Sequence, residues 1–448
     1  MNKPFIFKIV GMLILIALMS IAVSYVNDII LERQRNQEQV KQDIARSSAR
    51  SQTLIGPVLA VPYIEEYIEY IDEYTAKGER VQKAVTQRSS TVAYFLPESL
   101  QLSGAFSNEY KQLGLYKALM YQLGGDIKGD FRLPANFNIK PKHKAGVIVF
   151  QPAYLGFGIS DTRGINGNLQ FTFNNKASKL EQGSHILALG QGIHVNLGNI
   201  EADKEQVFSF ALNLNLRGME NFAFTPIAEN NTVSLSSSWQ HPHFDGSFLP
   251  VTKQISQAGF KGDWAISSLA SSNQDTLKNM LAGADNASHL ESLAIDFIEP
   301  INVYSQADRA TKYGLLFIGL TFVGFALFEV LKNLRIHPAQ YTLVGLAMTM
   351  FYLLLISFAE MIGFTYAYIL ASAACILLLA YYLSFVLKSK ANGFTFASLL
   401  TALYGALYGI LASEDNALIM GSLLVFGLLA VTMVVTRKVD WYALSTQK

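Results

Sequence analysis

The chain has 448 residues, of which 51% are hydrophobic and 15% charged, with a mean hydropathy of +0.25. A soluble protein carries nearer about 25% charged residues, so the composition excludes an ordinary soluble protein and indicates a membrane protein with one sizeable water-exposed domain. The formal net charge of +1 leaves no basic excess for nucleic acid over the whole chain, and the lone Cys375, set in an apolar run, excludes an intramolecular disulfide.

Lys3 and Lys8 precede an uncharged run from Ile9 to Val26, which reads as a first transmembrane helix. A cleaved signal peptide is the rival, because Ala22-Val23-Ser24 is an acceptable small-residue site; the length of the apolar run favours a retained helix. From Asp28 to Gln52 the chain is rich in Glu, Arg, Gln and Lys and lacks Gly and Pro, so the helix is expected to continue out of the membrane as a solvated stalk.

After Gly56-Pro57 short runs of Val, Ile, Tyr and Phe alternate with turn signals, the signature of strands. Val58 to Tyr74 and Val81 to Leu96 predict a hairpin joined through Ala76-Lys77-Gly78-Glu79. In its first arm Glu65, Glu69 and Glu73 share a polar side with Tyr67 and Ile71, opposite Ile64, Ile68 and Tyr70. Further strands are predicted over Leu113 to Tyr121, Gly146 to Phe150, Asn168 to Phe173, Val207 to Leu216, Thr232 to Trp239 and Gly259 to Ile266. Leu169 to Phe173 and Phe208 to Leu216 alternate strictly, so each has one buried and one wet face. Ser267 to His289 reads as a long polar loop with a short helix near Asp275 to Leu281.

Five apolar segments follow: Tyr313 to Leu331, Tyr341 to Phe358, Phe364 to Leu387, Phe394 to Ala412 and Asn416 to Thr436. Their connections carry in turn Lys332 and Arg335, Glu360, Lys388 and Lys390, Glu414 and Asp415, then Arg437 and Lys438. Basic loops alternate with acidic ones, which is the positive-inside pattern and places both termini in the cytoplasm. The expected fold class is therefore an α+β membrane protein with six transmembrane helices, one N-terminal and five C-terminal, and a large mostly-β periplasmic domain inserted between helices 1 and 2. The expected divisions are residues 1–27 for the first helix, 28–52 for the stalk, 53–307 for the β-rich domain, 308–436 for the five-helix block and 437–448 for a cytoplasmic tail.

Several stretches carry a family resemblance: Leu54-Ile-Gly56-Pro57, Phe95-Leu-Pro97-Glu98-Ser99-Leu100, Leu180-Glu181-Gln182-Gly183, the Trp239 to Pro250 loop, Asp308-Arg-Ala-Thr-Lys312-Tyr313, His337-Pro338 and Asp440-Trp441-Tyr442. In order and spacing they resemble the CreD family of bacterial inner-membrane proteins over nearly the whole chain. The resemblance implies a role in cell-envelope integrity under a two-component regulon. It implies no catalytic residues, because the family has no defined biochemical activity.

Read on their own, the remaining candidates have structural explanations beside functional ones. His241-Pro242-His243-Phe244-Asp245 has imidazoles two apart beside a carboxylate, a spacing that can ligate zinc; the favoured reading is a connection between strands pinned by Trp239 and Phe244 in the core, with no metal or cofactor. His185 and His194 fall in separate Gly-rich turns. Asp161 and Arg163 are expected to form an ion pair that closes a turn. Glu329, the sole acid in the second span's apolar pattern, is a functional suspect by depth, set against an interfacial ion pair with Lys332. Asp308 and Lys312 are expected on one face at the start of that span, with Arg309 beside them, one of the two cations reaching an acid in Glu65 to Glu73. Gly405 and Gly409 predict close helix packing.

The expected function is that of a non-enzymatic envelope-integrity or stress-response protein, whose partners are the lipid bilayer and other envelope components. A transporter or permease component is the alternative. None of the twelve prolines falls inside a span and no internal repeat is visible, which counts against it.

Overall fold

Strands begin where the charged sequence after the first helix gives way to residues rich in Val, Ile and Tyr. The computed structural model describes residues 3–74, 80–284, 289–299, 302–331, 336–387, 389–412 and 417–437. They divide into two units, one of Val40–Pro300 and one of Met1–Gln39 with Ile301–Lys448.

Helix α1 (Lys3–Ser47) runs through both segments of sequence, its residues from Val40 onward belonging to the β-rich unit. It ends at Ser47 rather than at 52, because Gln52 already starts the first strand. The strands follow as β1 (Gln52–Tyr74), β2 (Arg80–Phe95), β3 (Ser99–Leu113), β4 (Tyr116–Leu133), β5 (Val147–Phe150) and β6 (Ala153–Ile159). Next come β7 (Gln170–Phe173), β8 (Lys176–Ser178), β9 (Leu180–Gln182), β10 (Gly192–Gly198), β11 (Gln206–Met219) and β12 (Asn221–Thr225). The unit closes with β13 (Asn230–Ser237), β14 (Pro242–Gly246), β15 (Thr252–Ser256), β16 (Gly259–Ser267), helix α2 (Asn273–Leu281) and β17 (Leu293–Phe297).

They form two sheets. One has the order β14-β17-β12-β1-β6-β10-β9, with β2 and β5 also paired to β1; the other runs β15-β16-β13-β3-β4-β11-β7-β8. Most neighbours are antiparallel, while β1 with β12 and β3 with β13 are parallel. The sheets share one apolar core, in which Phe157 of β6 lies 6.5 Å from Phe210 of β11 and Phe106 of β3 lies 5.4 Å from Phe222 of β12. Strand β11 shows why the pattern was readable: Phe208, Phe210, Leu212, Leu214 and Leu216 are all buried, because side chains two apart face the same side of a pleated strand.

The hairpin of β1 and β2 is paired from Leu59 opposite Phe95 to Tyr74 opposite Arg80, and its turn at 75–79 lies outside the described residues. The expected division of β1 into polar and apolar sides is not what forms. Glu65 of the expected polar side is buried, whereas Ile68 and Tyr70 of the expected apolar side are exposed. Strand β5 covers the far edge of β1 only from Tyr63 to Glu66; Tyr67 still stacks on His143 at 3.6 Å, and from Ile68 onward the arm pairs with β2 alone among the described strands. The strand over Ser99–Leu113 was hidden in the sequence by its polar residues; its turn at Gly114-Leu115 replaces the strand start expected at Leu113.

In the other unit the helices after the β-rich segment are α3 (Val303–Lys312), α4 (Gly314–Leu331), α5 (Pro338–Ile362), α6 (Phe364–Val386), α7 (Lys390–Ala412) and α8 (Ala417–Thr436). Four helices among the described residues are long and apolar enough to cross a bilayer: α1 from Val10, α5, α6 and α7. Helices α3 and α4 are bent by 44° and make a fifth if the pair is one span, while α8 carries a shorter apolar stretch, Ile419–Val434. Phe317, Phe322 and Phe325 of α4 pack inward with Phe351 of α5 and Phe396 of α7, and Leu377, Phe385 and Phe426 face outward, as helices in a lipid solvent do. Among the described residues Gly405 and Gly409 make no close helix contact, since a Cβ at either would meet nothing within 4 Å.

Candidate functional site

One polar cluster binds α1, α3 and α5 within the helical unit. The Asn302 side chain caps α3 by accepting the Tyr304 N–H at 2.9 Å, and its amide donates to Gln37 Oε1 of α1 at 3.4 Å. Tyr304, Ala307, Ala310 and Thr311 are buried at helical spacings of three and four, so Asp308 and Lys312 fall on the remaining faces. The Tyr304 hydroxyl donates to Glu360 Oε1 of α5 at 3.1 Å, and Arg33 Nε of α1 lies 3.8 Å from the same oxygen. Thr311 Oγ1 is 2.9 Å from both Asn27 Oδ1 and the Asp308 carbonyl.

Asp308 and Lys312 do share a face, with Nζ 2.6 Å from Oδ2. They do not begin a helix, however. Helix α3 starts five residues before Asp308, and Arg309 and Lys312 occupy its last turn, where a cation favours the negative C-terminal end of the dipole. The charges expected to open the span therefore close the short helix in front of it. The chain then bends at Tyr313-Gly314, where a Cβ on Gly314 would come within 3.3 Å of Tyr352 and Val23.

Glu329, near the end of α4, is buried. Its Oε1 accepts the Ile336 N–H at 3.0 Å and its Oε2 accepts the Tyr341 hydroxyl at 3.0 Å, so the carboxylate holds the start of α5 against α4. Lys332, its expected partner, lies outside the described residues. The Tyr341 hydroxyl, twelve residues on, was the partner no local spacing revealed.

In the β-rich unit Asp161 and Arg163 form an ion pair that closes a turn, and the pair has a further task. Asp161 accepts the Arg163 N–H and the Arg50 N–H, while the Arg163 guanidinium grips it with Nε at 2.8 Å and Nη2 at 2.6 Å. The rest of the guanidinium donates to the carbonyls of Ala45 and Arg46, the last turn of α1. The hydrogen bonds that the Arg163 side chain donates to Asp161 hold this buried carboxyl below the usual range. The buried Gln52 amide completes the joint by donating to the carbonyls of Asp161 and Arg217.

Trp239 is half-buried and its indole N–H donates to the carbonyls of His241 and Ile298, which pins the segment before β14. His241 stands edge-on to the ring, with 6.5 Å between the ring centroids. His243 and Asp245 instead point from β14 toward Asp296 of β17, with His243 Nδ1 3.3 Å from Asp296 Oδ2. The two histidines assigned to separate turns also meet: His185 and His194 stack at 3.8 Å, and His194 Nδ1 lies 2.8 Å from the Gly183 carbonyl.

The pattern of the CreD family, described as inner membrane protein CreD, matches residues 4–442. The chain belongs to the CreD family. It is 32% identical over 450 residues to inner membrane protein CreD of Escherichia coli (strain K12), with 100% of this chain and 96% of that protein covered. Family and apolar helices together make it an inner-membrane protein. Among solved structures, a substituted M1 zinc metallopeptidase from Deinococcus radiodurans overlaps 45% of this chain and 42% of its own at 9% identity. Its TM-score of 0.23 carries no argument about either fold or activity.

Proposed function

We propose that this CreD family member maintains the bacterial cell envelope without catalysing a reaction, through contacts made by its β-rich domain on the periplasmic side of the inner membrane. The observation that carries the reading is the order of charges between the apolar segments: Lys3 and Lys8, Lys332 and Arg335, Lys388 and Lys390, and Arg437 and Lys438 on one side, Glu360, Glu414 and Asp415 on the other. With α3 and α4 as one span and α8 as another, this order supports six spans with both termini cytoplasmic. A domain of two large sheets on the far side has access to other envelope components, which supports a role by contact.

Cysteines placed near Glu414 and within Tyr63 to Gly262 are expected to react with an impermeant reagent from outside intact cells, while cysteines near Lys390 stay protected. Labelling near Lys390 would reverse the orientation. Cells lacking the protein are expected to admit a normally excluded dye, and the intact chain to restore the barrier. An unaltered barrier would overturn the envelope role, and uptake of a defined solute that follows the protein's level would support the transporter alternative.

A further inference from the structure

His243, Asp245 and Asp296 are brought together by register. Strand β14 pairs antiparallel with β17 so that His243 stands opposite Asp296, and β17 pairs on its other side with β12, where Asn221 stands opposite Asp296. Because side chains alternate along a strand, His243, Asp245 and Asp296 face one side while Phe244 and Ile295 turn to the core. One ligand atom from each of the three lies within 4.8 Å of the other two. His243 and Asp245 are exposed on the terminal strand of the sheet, so solvent reaches the group directly.

We propose that these three side chains bind one divalent transition-metal ion of the zinc class. The donor set is one imidazole nitrogen and two carboxylates, which zinc accepts, and water fills the remaining position. Two observations favour an ion over a plain His–Asp pair. Among the described residues no lysine or arginine forms an ion pair with Asp245 or Asp296, so two carboxylates share the place with a single imidazole. With that imidazole neutral, as ligation requires, the group carries two negative charges that a divalent cation offsets. In addition, the Asn221 amide donates to Asp296 Oδ1 at 2.5 Å, which fixes the carboxylate and leaves Oδ2 turned to His243, the kind of outer support that metal ligands have. The site staples the edge strand β14 to β17 and stands independently of the envelope reading.

The test uses the full-length, tag-free protein in detergent, stripped with a chelator and titrated with Zn2+ by calorimetry. One equivalent is expected to bind and to raise the unfolding midpoint of the β-rich domain, because an ion that binds only the folded state stabilises it. Asp296→Asn and His243→Ala are each expected to weaken binding at least on the order of 10-fold, and Asn221→Ala about 10–100-fold, the range seen for outer partners of metal ligands. Both His243 and Asp245 are exposed, so the His243→Ala/Asp245→Asn variant keeps the fold, checked by circular dichroism. Binding that survives in that variant, the absence of a saturable single equivalent, or displacement of Zn2+ by excess Mg2+ would each overturn the proposal.

Discussion

Arg163 grips Asp161, two residues before it, with Nη2 2.6 Å from Oδ2, and with the same guanidinium reaches the carbonyls of Ala45 and Arg46 at the end of α1. One side chain thus neutralises a buried acid and supplies donors to a helix terminus that lacks intrahelical partners. The relationship joins residues more than a hundred positions apart in sequence and makes the helix end part of the β-rich unit.

Arg163→Ala leaves the Asp161 carboxylate with backbone donors only and frees the α1 carbonyls. A loss of about 1–3 kcal/mol in the stability of the β-rich domain is expected, as for a buried group stripped of its partner. Arg163→Lys is expected to recover only part of it, because an ammonium lacks the planar fork that reaches both the carboxylate and the carbonyls. Urea unfolding of the full chain followed by tryptophan fluorescence measures the difference; an unchanged Arg163→Ala midpoint would refute the joint.

Acid should release the same joint. The folded Asp161 carboxyl is held below its ordinary value of 3.8, so its contribution is fully present above that pH and is lost as pH falls through the lower folded value. Asp161→Asn is therefore expected to be less stable than the parent near neutrality and to converge with it in strong acid. Parallel stability curves for the two proteins down to the lowest pH would contradict this account.

Glu329 is expected to act as a fastener of α5. Tyr341→Phe removes the hydroxyl that donates to Oε2 and should cost about 1.5–3 kcal/mol, the value of a hydrogen bond to a charged group. Glu329→Gln keeps an acceptor for the Ile336 N–H and should lose less than Glu329→Leu. Thermal unfolding in detergent gives the order. An unchanged midpoint for Glu329→Leu would show that the carboxylate does not fasten α5.

The cluster at Glu360 predicts coupling between helices. Tyr304→Phe should cost about 1.5–3 kcal/mol, again the value of one hydrogen bond to a charged group. In an otherwise identical Glu360→Gln background, where the amide oxygen is a weaker acceptor, the same change should cost clearly less, and a double-mutant cycle isolates that difference. Strict additivity would show that the two side chains act apart.

Local pattern alone determined much of this protein. The uncharged runs announced apolar helices because hydrocarbon tolerates no frequent charge, and the period-two alternation of Phe208 to Leu216 announced a half-buried strand because neighbouring side chains leave a pleat on opposite sides. Asp161 with Arg163, two apart, and Asp308 with Lys312, four apart, were legible for the same reason: their meeting depends only on the geometry of their own segment.

What tertiary structure decided were the encounters that no local spacing encodes. The bend after α3 is placed at Gly314, where Val23 and Tyr352 approach the backbone; the apolar run from Tyr313 to Leu331 is helix α4 alone, and the polar residues of α3 before it did not announce a separate helix. Glu65 is buried because the His143 N–H closes over its carboxylate at 2.7 Å, and Ile68 is exposed because the sheet ends beside it; their own periodicity suggested the reverse. His243 and Asp296 lie far apart in the chain and meet only through the pairing of β14 with β17, since register is a property of two strands and neither carries it alone.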